Sequence, residues 1–156
     1  MSDAQQFVFN IEKLFVKDLS VEVPNAPAIY LEQAAPQIDV TMSTESRALG
    51  DDHYYNGITA TVTAKLGDKT MFLVEATQAG IFRIQNVPQE QMPMVLGIGC
   101  PNIVFPYLRE TVSDVIIRAG FPPLLLNPVN FEALFLQNQQ QAQQQQQASA
   151  APVQTH

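Results

Sequence analysis

Residues 7–84 are rich in β-branched and aromatic residues, with runs in which apolar side chains recur at every second position, and beyond Pro88 such runs stop. A period of two is the spacing at which a pleated strand keeps one face buried, whereas a helix needs apolar residues three and four apart. The change of period therefore divides the chain into a sheet-forming part, residues 7–84, and a helical part, residues 88–136. A tail with nine glutamines between positions 137 and 147 follows. Glutamine tracts bury little apolar area, so 137–156 is expected to be frayed helix or disorder behind a single domain of residues 1–136.

Faces can be read along each strand. In the first, Phe7, Phe9 and Ile11 alternate with Val8, Asn10 and Glu12, and then the parity shifts to Leu14 and Val16. Such a shift marks a β-bulge near Lys13. Further on, Leu19, Val21 and Val23 share one face while Asp18, Ser20 and Glu22 share the other. Pro24-Asn25-Ala26-Pro27 ends pairing, since proline has no N–H to donate. A short second strand puts Ile38, Val40 and Met42 on one side, with Asp39 and Thr41 opposite. The third, about Tyr54 to Lys65, turns Ile58, Ala60, Val62 and Ala64 inward and its threonines outward. Gly67-Asp68 supplies a hairpin turn. In the fourth, Phe72, Val74 and Ala76 point inward and Met71, Leu73, Glu75 and Thr77 outward.

The second half reads as helices divided by proline. Residues 89–98 form a short apolar helix, interrupted at Cys100-Pro101-Asn102. The next helix carries Val104, Leu108, Val112, Val115 and Ile116 on one stripe. Pro106 belongs near its first turn, and Gly120 ends it. Asn127-Pro128 is placed to cap the last helix, where Phe131, Leu134 and Phe135 stand at i, i+3 and i+4.

Composition excludes several classes of function. The net charge of −7 would repel a phosphate backbone or an anionic membrane, so nucleic-acid binding is disfavoured. A single cysteine, Cys100, permits no internal disulfide and no multi-cysteine metal site. No cationic stretch followed by an apolar one opens the chain, and no apolar run approaches ~18 residues, so a soluble cytoplasmic protein without membrane insertion is expected. Charged residues are only 15 % of the chain against about 25 % in ordinary soluble domains, while hydrophobic ones reach 46 %. Too few charges are present to coat a monomer, which points to apolar surface covered by subunits or used in binding.

No catalytic constellation emerges. Gly97-Ile98-Gly99-Cys100-Pro101 has the first two glycines of a dinucleotide loop but not the third, and it follows a helix rather than a strand. Asp51-Asp52-His53 reads as a polar turn, because adjacent residues on extended backbone point alternately and do not converge on a metal. Cys100 has no base near it in sequence and reads as a buried thiol.

Two surfaces stand out instead. Asp18, Glu22 and Glu75 share a strand face with Leu73; an ordinary solvated sheet face is the plainer account, and a docking patch for a basic partner the sharper one. The apolar loop Phe121 to Leu126, with Tyr30 and Leu31, is either core packing or a groove for apolar extended peptide.

Four blocks carry a family resemblance: Val23-Pro24-Asn25-Ala26-Pro27; Gln78-Ala79-Gly80-Ile81-Phe82; Cys100 through Glu110, reading CPNIVFPYLRE; and Pro128 through Phe135, reading PVNFEALF. In order and spacing, from about Phe7 to Gln140, the chain resembles the SecB protein-export chaperones. The resemblance implies an α+β fold in which a four-stranded antiparallel sheet carries two helices on one face, assembled as a homotetramer, a dimer of dimers. It implies an ATP-independent holdase, not an enzyme, that needs no cofactor or metal. Such a protein keeps secretory precursors unfolded in the cytoplasm and delivers them to the SecA translocation ATPase. Carried onto matching positions, the SecA-binding residues are Asp18, Glu22, Leu73 and Glu75. The unfolded-peptide groove takes in Ile38, Val40 and Met42, then Phe121, Leu124 and Leu126, then Phe131 and Phe135. Relatives often have a tryptophan just before the second strand, where this chain has Ala34-Ala35-Pro36, and the tail is glutamine-rich rather than acidic. Against this stands a non-catalytic adaptor that binds one folded partner through the acidic face; preference for unfolded clients separates the two.

Overall fold

A computed structural model describes residues 6–150. Four antiparallel strands, β1 (Val8–Glu22), β2 (Gln37–Gly50), β3 (His53–Leu66) and β4 (Lys69–Gln85), form one sheet in the order β1-β4-β3-β2. Helix α1 (Met92–Met94), a π-helical turn (Val95–Gly99), α2 (Cys100–Arg118) and α3 (Phe131–Ser149) follow. The strand-then-helix order read from the change of period is thus the observed one.

The central strands β3 and β4 behave as their alternation requires. Ile58, Ala60, Val62 and Ala64 of β3 and Phe72, Val74 and Ala76 of β4 are buried on the inner face. The helical stripe Val104, Leu108, Val112, Val115 and Ile116 is buried with them in a single core. Each Val, Leu, Ile or Phe among them that is removed from water contributes roughly 1.5–3 kcal/mol, more than strand or helix propensity supplies at any one position. Gly67, at φ 59°, makes the β3–β4 turn, while Asp51 and Asp52, at φ 53° and 61°, make the polar turn before β3.

Bulges account for the parity shifts in β1. One lies between Ile11 and Lys13, as expected, and a second between Val16 and Asp18 returns Asp18, Ser20 and Glu22 to the outer face. A third irregularity corrects an assignment. Ala64 pairs with Phe72 but Lys65 with Thr70, so Met71 is the extra residue of a bulge. Met71 is consequently buried against the core instead of lying on the outer face beside Leu73.

The second strand is long, not short. It runs to Gly50 because β3 offers a continuous partner edge, even though Ser43-Thr44-Glu45-Ser46-Arg47 carries no apolar alternation.

Nor does Cys100-Pro101-Asn102 interrupt the helix. The chain passes through it by a π turn in which the Cys100 N–H reaches back to the Val95 carbonyl. Pro101 has no N–H for the turn before it, and the Leu96 carbonyl is served from the sheet: Ser46 Oγ and Asn56 Nδ2 each donate to it at 3.2 Å. Because α2 begins at Cys100, Pro106 lies inside it rather than in its first turn. Proline there cannot bond the Asn102 carbonyl, but both residues are exposed and water can serve it.

Gly120 ends α2 at φ 91°; its N–H donates to Ile117 O and that of Phe121 to Ile116 O, the paired bonds of a left-handed helix stop. The cap of α3 is Asn130, not Asn127-Pro128: Asn130 Oδ1 accepts from the Ala133 N–H at 3.0 Å. Helix α3 continues through the exposed glutamines to Ser149.

Candidate functional site

Helix α2 packs chiefly on β4 and β3 and touches β1 only in part, Phe9 and Leu14 reaching the core, which leaves much of the inner face of the edge strands uncovered. On the β2 side, Ile38, Val40 and Met42 stand opposite Ala64, Val62 and Ala60, yet they remain 42, 39 and 37 % exposed. Each is an inward-facing apolar residue with no helix above it. On the β1 side, Ile11, Val16, Leu19 and Val21 are exposed in the same way.

The β2 flank opens at one end into a cleft of about 470 Å³. Its floor is Ile38 with Met71 and Phe72, and Tyr30, Phe121 and Leu124 form its walls. The Tyr30 ring stacks on Phe121 with centroids 5.1 Å apart, and Phe121 meets Phe72 at 5.0 Å. Tyr30 is held from its polar end, its hydroxyl donating to the Ala119 carbonyl at 2.6 Å. That bond uses a carbonyl at the end of α2 that has no partner within the helix. Ala34, Ala35 and Pro36 line the same cleft, small where relatives were expected to carry tryptophan. Leu31, 85 % exposed, sits outside it.

The loop Phe121 to Leu126 divides between the two readings of it. Phe121 and Leu124 face the cleft, whereas Leu126 is buried in the core and its carbonyl accepts from Arg109 Nε at 3.1 Å. Phe131 is also in the core, its ring edge-on to Phe105 at 5.8 Å. Phe135 lies over Gly97, where the absent side chain makes room for its ring. The chain after α2 thus runs back beside it, past Arg109 and Phe105, to the π turn. Ile38, Phe121 and Leu124 come together, Val40 and Met42 extend that surface along β2, and Leu126, Phe131 and Phe135 are not part of the cleft. From Ile38 to Ser46, which bonds the π turn, β2 spans eight residues, roughly 27 Å of extended surface.

The acidic face is assembled by register. Glu22 pairs with Leu73, which pairs with Thr63, which pairs with Asp39. One rung away Ser20, Glu75, Thr61 and Thr41 align in the same manner, and Asp18 is opposite Thr77 one rung further. Asp18, Glu22 and Glu75 are exposed and Leu73 half-buried, so the four expected residues share one outer surface. Asp39 joins them from the far edge, a contribution visible only once β2 is paired.

Cys100 lies on neither surface. It is buried among core side chains, and burial pushes its thiol up to about 12, so it carries no nucleophilic thiolate. No helix among the described residues is long and apolar enough to cross a membrane.

Comparison with known proteins agrees with this geometry. The family model "Preprotein translocase subunit SecB" matches residues 2–142. The "Protein-export protein SecB" of Thiobacillus denitrificans is 83 % identical over 156 residues, spanning 100 % of both chains. That of Nitrosospira multiformis is 57 % identical over 153 residues, covering 97 % of this chain and 94 % of the relative. Among solved structures, a Mycobacterium tuberculosis SecB-like chaperone in complex with a ChAD peptide from the HigA1 antitoxin superposes with a TM-score of 0.64. It covers 78 % of this chain and 91 % of its own, and at 17 % identity it shows the shared fold. The class is that of non-enzymatic protein-export chaperones. This chain belongs to the SecB family.

Proposed function

We propose that this protein is an ATP-independent holdase of the cytoplasm that binds unfolded secretory precursors, keeps them competent for translocation and passes them to the SecA ATPase. The observation that carries this reading is the uncovered apolar flank of β2, continuous with the Tyr30–Phe121 cleft. An extended chain exposes alternate apolar side chains, and folded proteins hide them. A surface that binds by area alone, at about 25 cal/mol per Å², accepts many sequences and prefers whatever is unfolded. The solved relative bound to a peptide is in keeping with this.

A homotetramer is part of the proposal. Exposed Ile11, Val16, Leu19 and Val21 on the β1 flank, with Tyr107 and Ile117 on α2, make an apolar surface suited to burial between subunits. Several grooves in one particle would then hold a single client at several points and gain avidity. Asp18, Glu22, Leu73 and Glu75 form the SecA-docking surface, on the opposite side of the sheet from the client groove. The carboxylates attract a basic partner while Leu73 offers apolar contact within their rim. Release then needs no nucleotide bound to this chain, because SecA docked on one face competes for the client on the other.

Glu75→Lys reverses charge in the middle of the acidic rungs. SecA binding should weaken at least tenfold while affinity for an unfolded precursor stays within twofold. Equal loss of both would mean that the two surfaces are not separate.

A further inference from the structure

The outer sheet face is polarised. The acidic rungs end with that of Asp18, Thr77, Thr59 and Ser43, where Thr59 Oγ1 and Thr77 Oγ1 are bonded at 2.8 Å. Past it, and past Glu45 of the next rung, the face carries cations. Arg47, Tyr55, Ile81 and Lys13 align as one rung across all four strands. Arg83 lies beyond, opposite Asn10, and Lys17 reaches in from the β1 bulge. In a chain with net charge −7, four of its eight lysines and arginines meet here.

Tyr55 organises the patch. It is only 4 % exposed although it sits on the outer face. Its ring lies across Gly57, where any side chain would collide with it, and Gly57 pairs with Ala79, so the ring rests on a floor of small residues. Lys17 Nζ stands 5.1 Å from the ring centroid and the Arg47 guanidinium 4.7 Å. Both side chains are exposed and are oriented by the ring's π face. Arg47 also contacts Glu45 at 3.2 Å, a weak exposed pair, whereas Lys17 has no carboxylate within 4 Å among the described residues. Asp52, at the nearby hairpin, is engaged by Gln85 Nε2 at 2.9 Å. Phe15 and Ile81, both half-buried, add an apolar ledge beside Tyr55.

We propose that this patch is a docking site for an extended acidic peptide segment of a partner protein. Charge complementarity selects the occupant, because the rest of the molecule repels anions and only a local cluster could hold one. The two cations flank one ring and lie no more than about 10 Å apart. Carboxylates at positions i and i+2 of an extended peptide are roughly 7 Å apart, and their side chains bridge the remainder. An apolar residue neighbouring such a pair can rest on the Phe15–Ile81 ledge. The site is distinct from the acidic rungs: from Glu75 to Ile81 is six residues of β4, about 20 Å.

The test uses the full-length protein and a fluorescent, amide-capped peptide containing Glu-Leu-Glu, with a Gln-Leu-Gln peptide as its neutral counterpart. Anisotropy at low ionic strength should show saturable binding of the acidic peptide only, weakening as salt rises. Lys17→Glu with Arg47→Glu should lower its affinity at least tenfold, Lys17→Gln with Arg47→Gln by less, and Glu75→Lys should not lower it. Both pairs alter exposed side chains, and circular dichroism checks that the fold persists. Absence of saturable binding, equal binding of the neutral peptide, or undiminished binding by the Lys17→Glu, Arg47→Glu protein would overturn the proposal.

Discussion

Replacing glycine by alanine should change sign along this chain in a way that the backbone dictates. Gly99 has helical angles, φ −63° and ψ −49°, and nothing lies within 4 Å of an added methyl group. Alanine there should stabilise by up to about 1 kcal/mol, the helix-propensity difference. Gly67 is at φ 59° with open space around it, so alanine meets only backbone strain, roughly 1–2 kcal/mol. Gly120 combines both penalties. At φ 91° its backbone disfavours any side chain, and an added methyl carbon would stand 3.2 Å from the Tyr30 ring. Tyr30 cannot easily give way, because its hydroxyl is tied to Ala119 O at 2.6 Å and its ring is stacked on Phe121. Loss of part of that bond and stack adds about 1–2 kcal/mol, for an expected total near 2–4 kcal/mol. Urea unfolding of the three variants, at equal subunit concentration because assembly shifts apparent stability, gives the comparison directly. The midpoints should fall in the order Gly99→Ala, wild type, Gly67→Ala, Gly120→Ala. Gly120→Ala no worse than Gly67→Ala would refute the Tyr30 contact, and a destabilised Gly99→Ala would refute the helical reading of the π turn.

Two further outcomes follow from the core and the last helix. Burial holds the Cys100 thiol protonated up to about 12, whereas an unfolded thiol ionises near 8.5. Its contribution to stability is therefore complete below about pH 8.5 and is lost as pH rises toward 12, by at most about 1.4 kcal/mol per pH unit. Urea midpoints of wild type should thus fall more steeply than those of Cys100→Ala between pH 8.5 and 10, and parallel curves would refute this. Asn130→Ala removes the acceptor for the Ala133 N–H and should cost α3 about 1 kcal/mol. Hydrogen exchange should quicken at the start of α3 and not in β3 or β4.

Much of the fold was legible because its central strands are simple. Ile58 to Ala64 and Phe72 to Ala76 alternate without interruption, and burial of one face leaves them a single register. The acidic face was legible for the same reason, since Glu22, Leu73 and Glu75 sit on strands whose parity can be counted. Legibility failed where pairing, not patterning, decides. The second half of β2 is a strand because β3 offers it an edge, and its own residues do not show this. Met71 turned inward through a bulge one residue from a hairpin. Pro101 read as a break because proline removes a donor, and the sheet residues that compensate, Ser46 and Asn56, lie about 40 to 50 positions before the Leu96 carbonyl they serve. Among the residues expected to line the groove, Leu126 and Phe131 are as apolar as Phe121 and Leu124, and only the path of the chain beside α2 assigns the first two to the core. The Tyr55 patch needs all four strands in register, so no local motif could have announced it.

The proposed function requires that the apolar surface of β2 and its cleft select the unfolded state of a client. The direct test is titration of the purified protein with one secretory precursor, presented chemically unfolded and then native, in the absence of nucleotide. The unfolded form alone should bind tightly, and Val40→Glu with Met42→Glu should weaken that binding at least tenfold. Equal binding of both forms, or unfolded-client binding that this pair leaves unchanged, would contradict it.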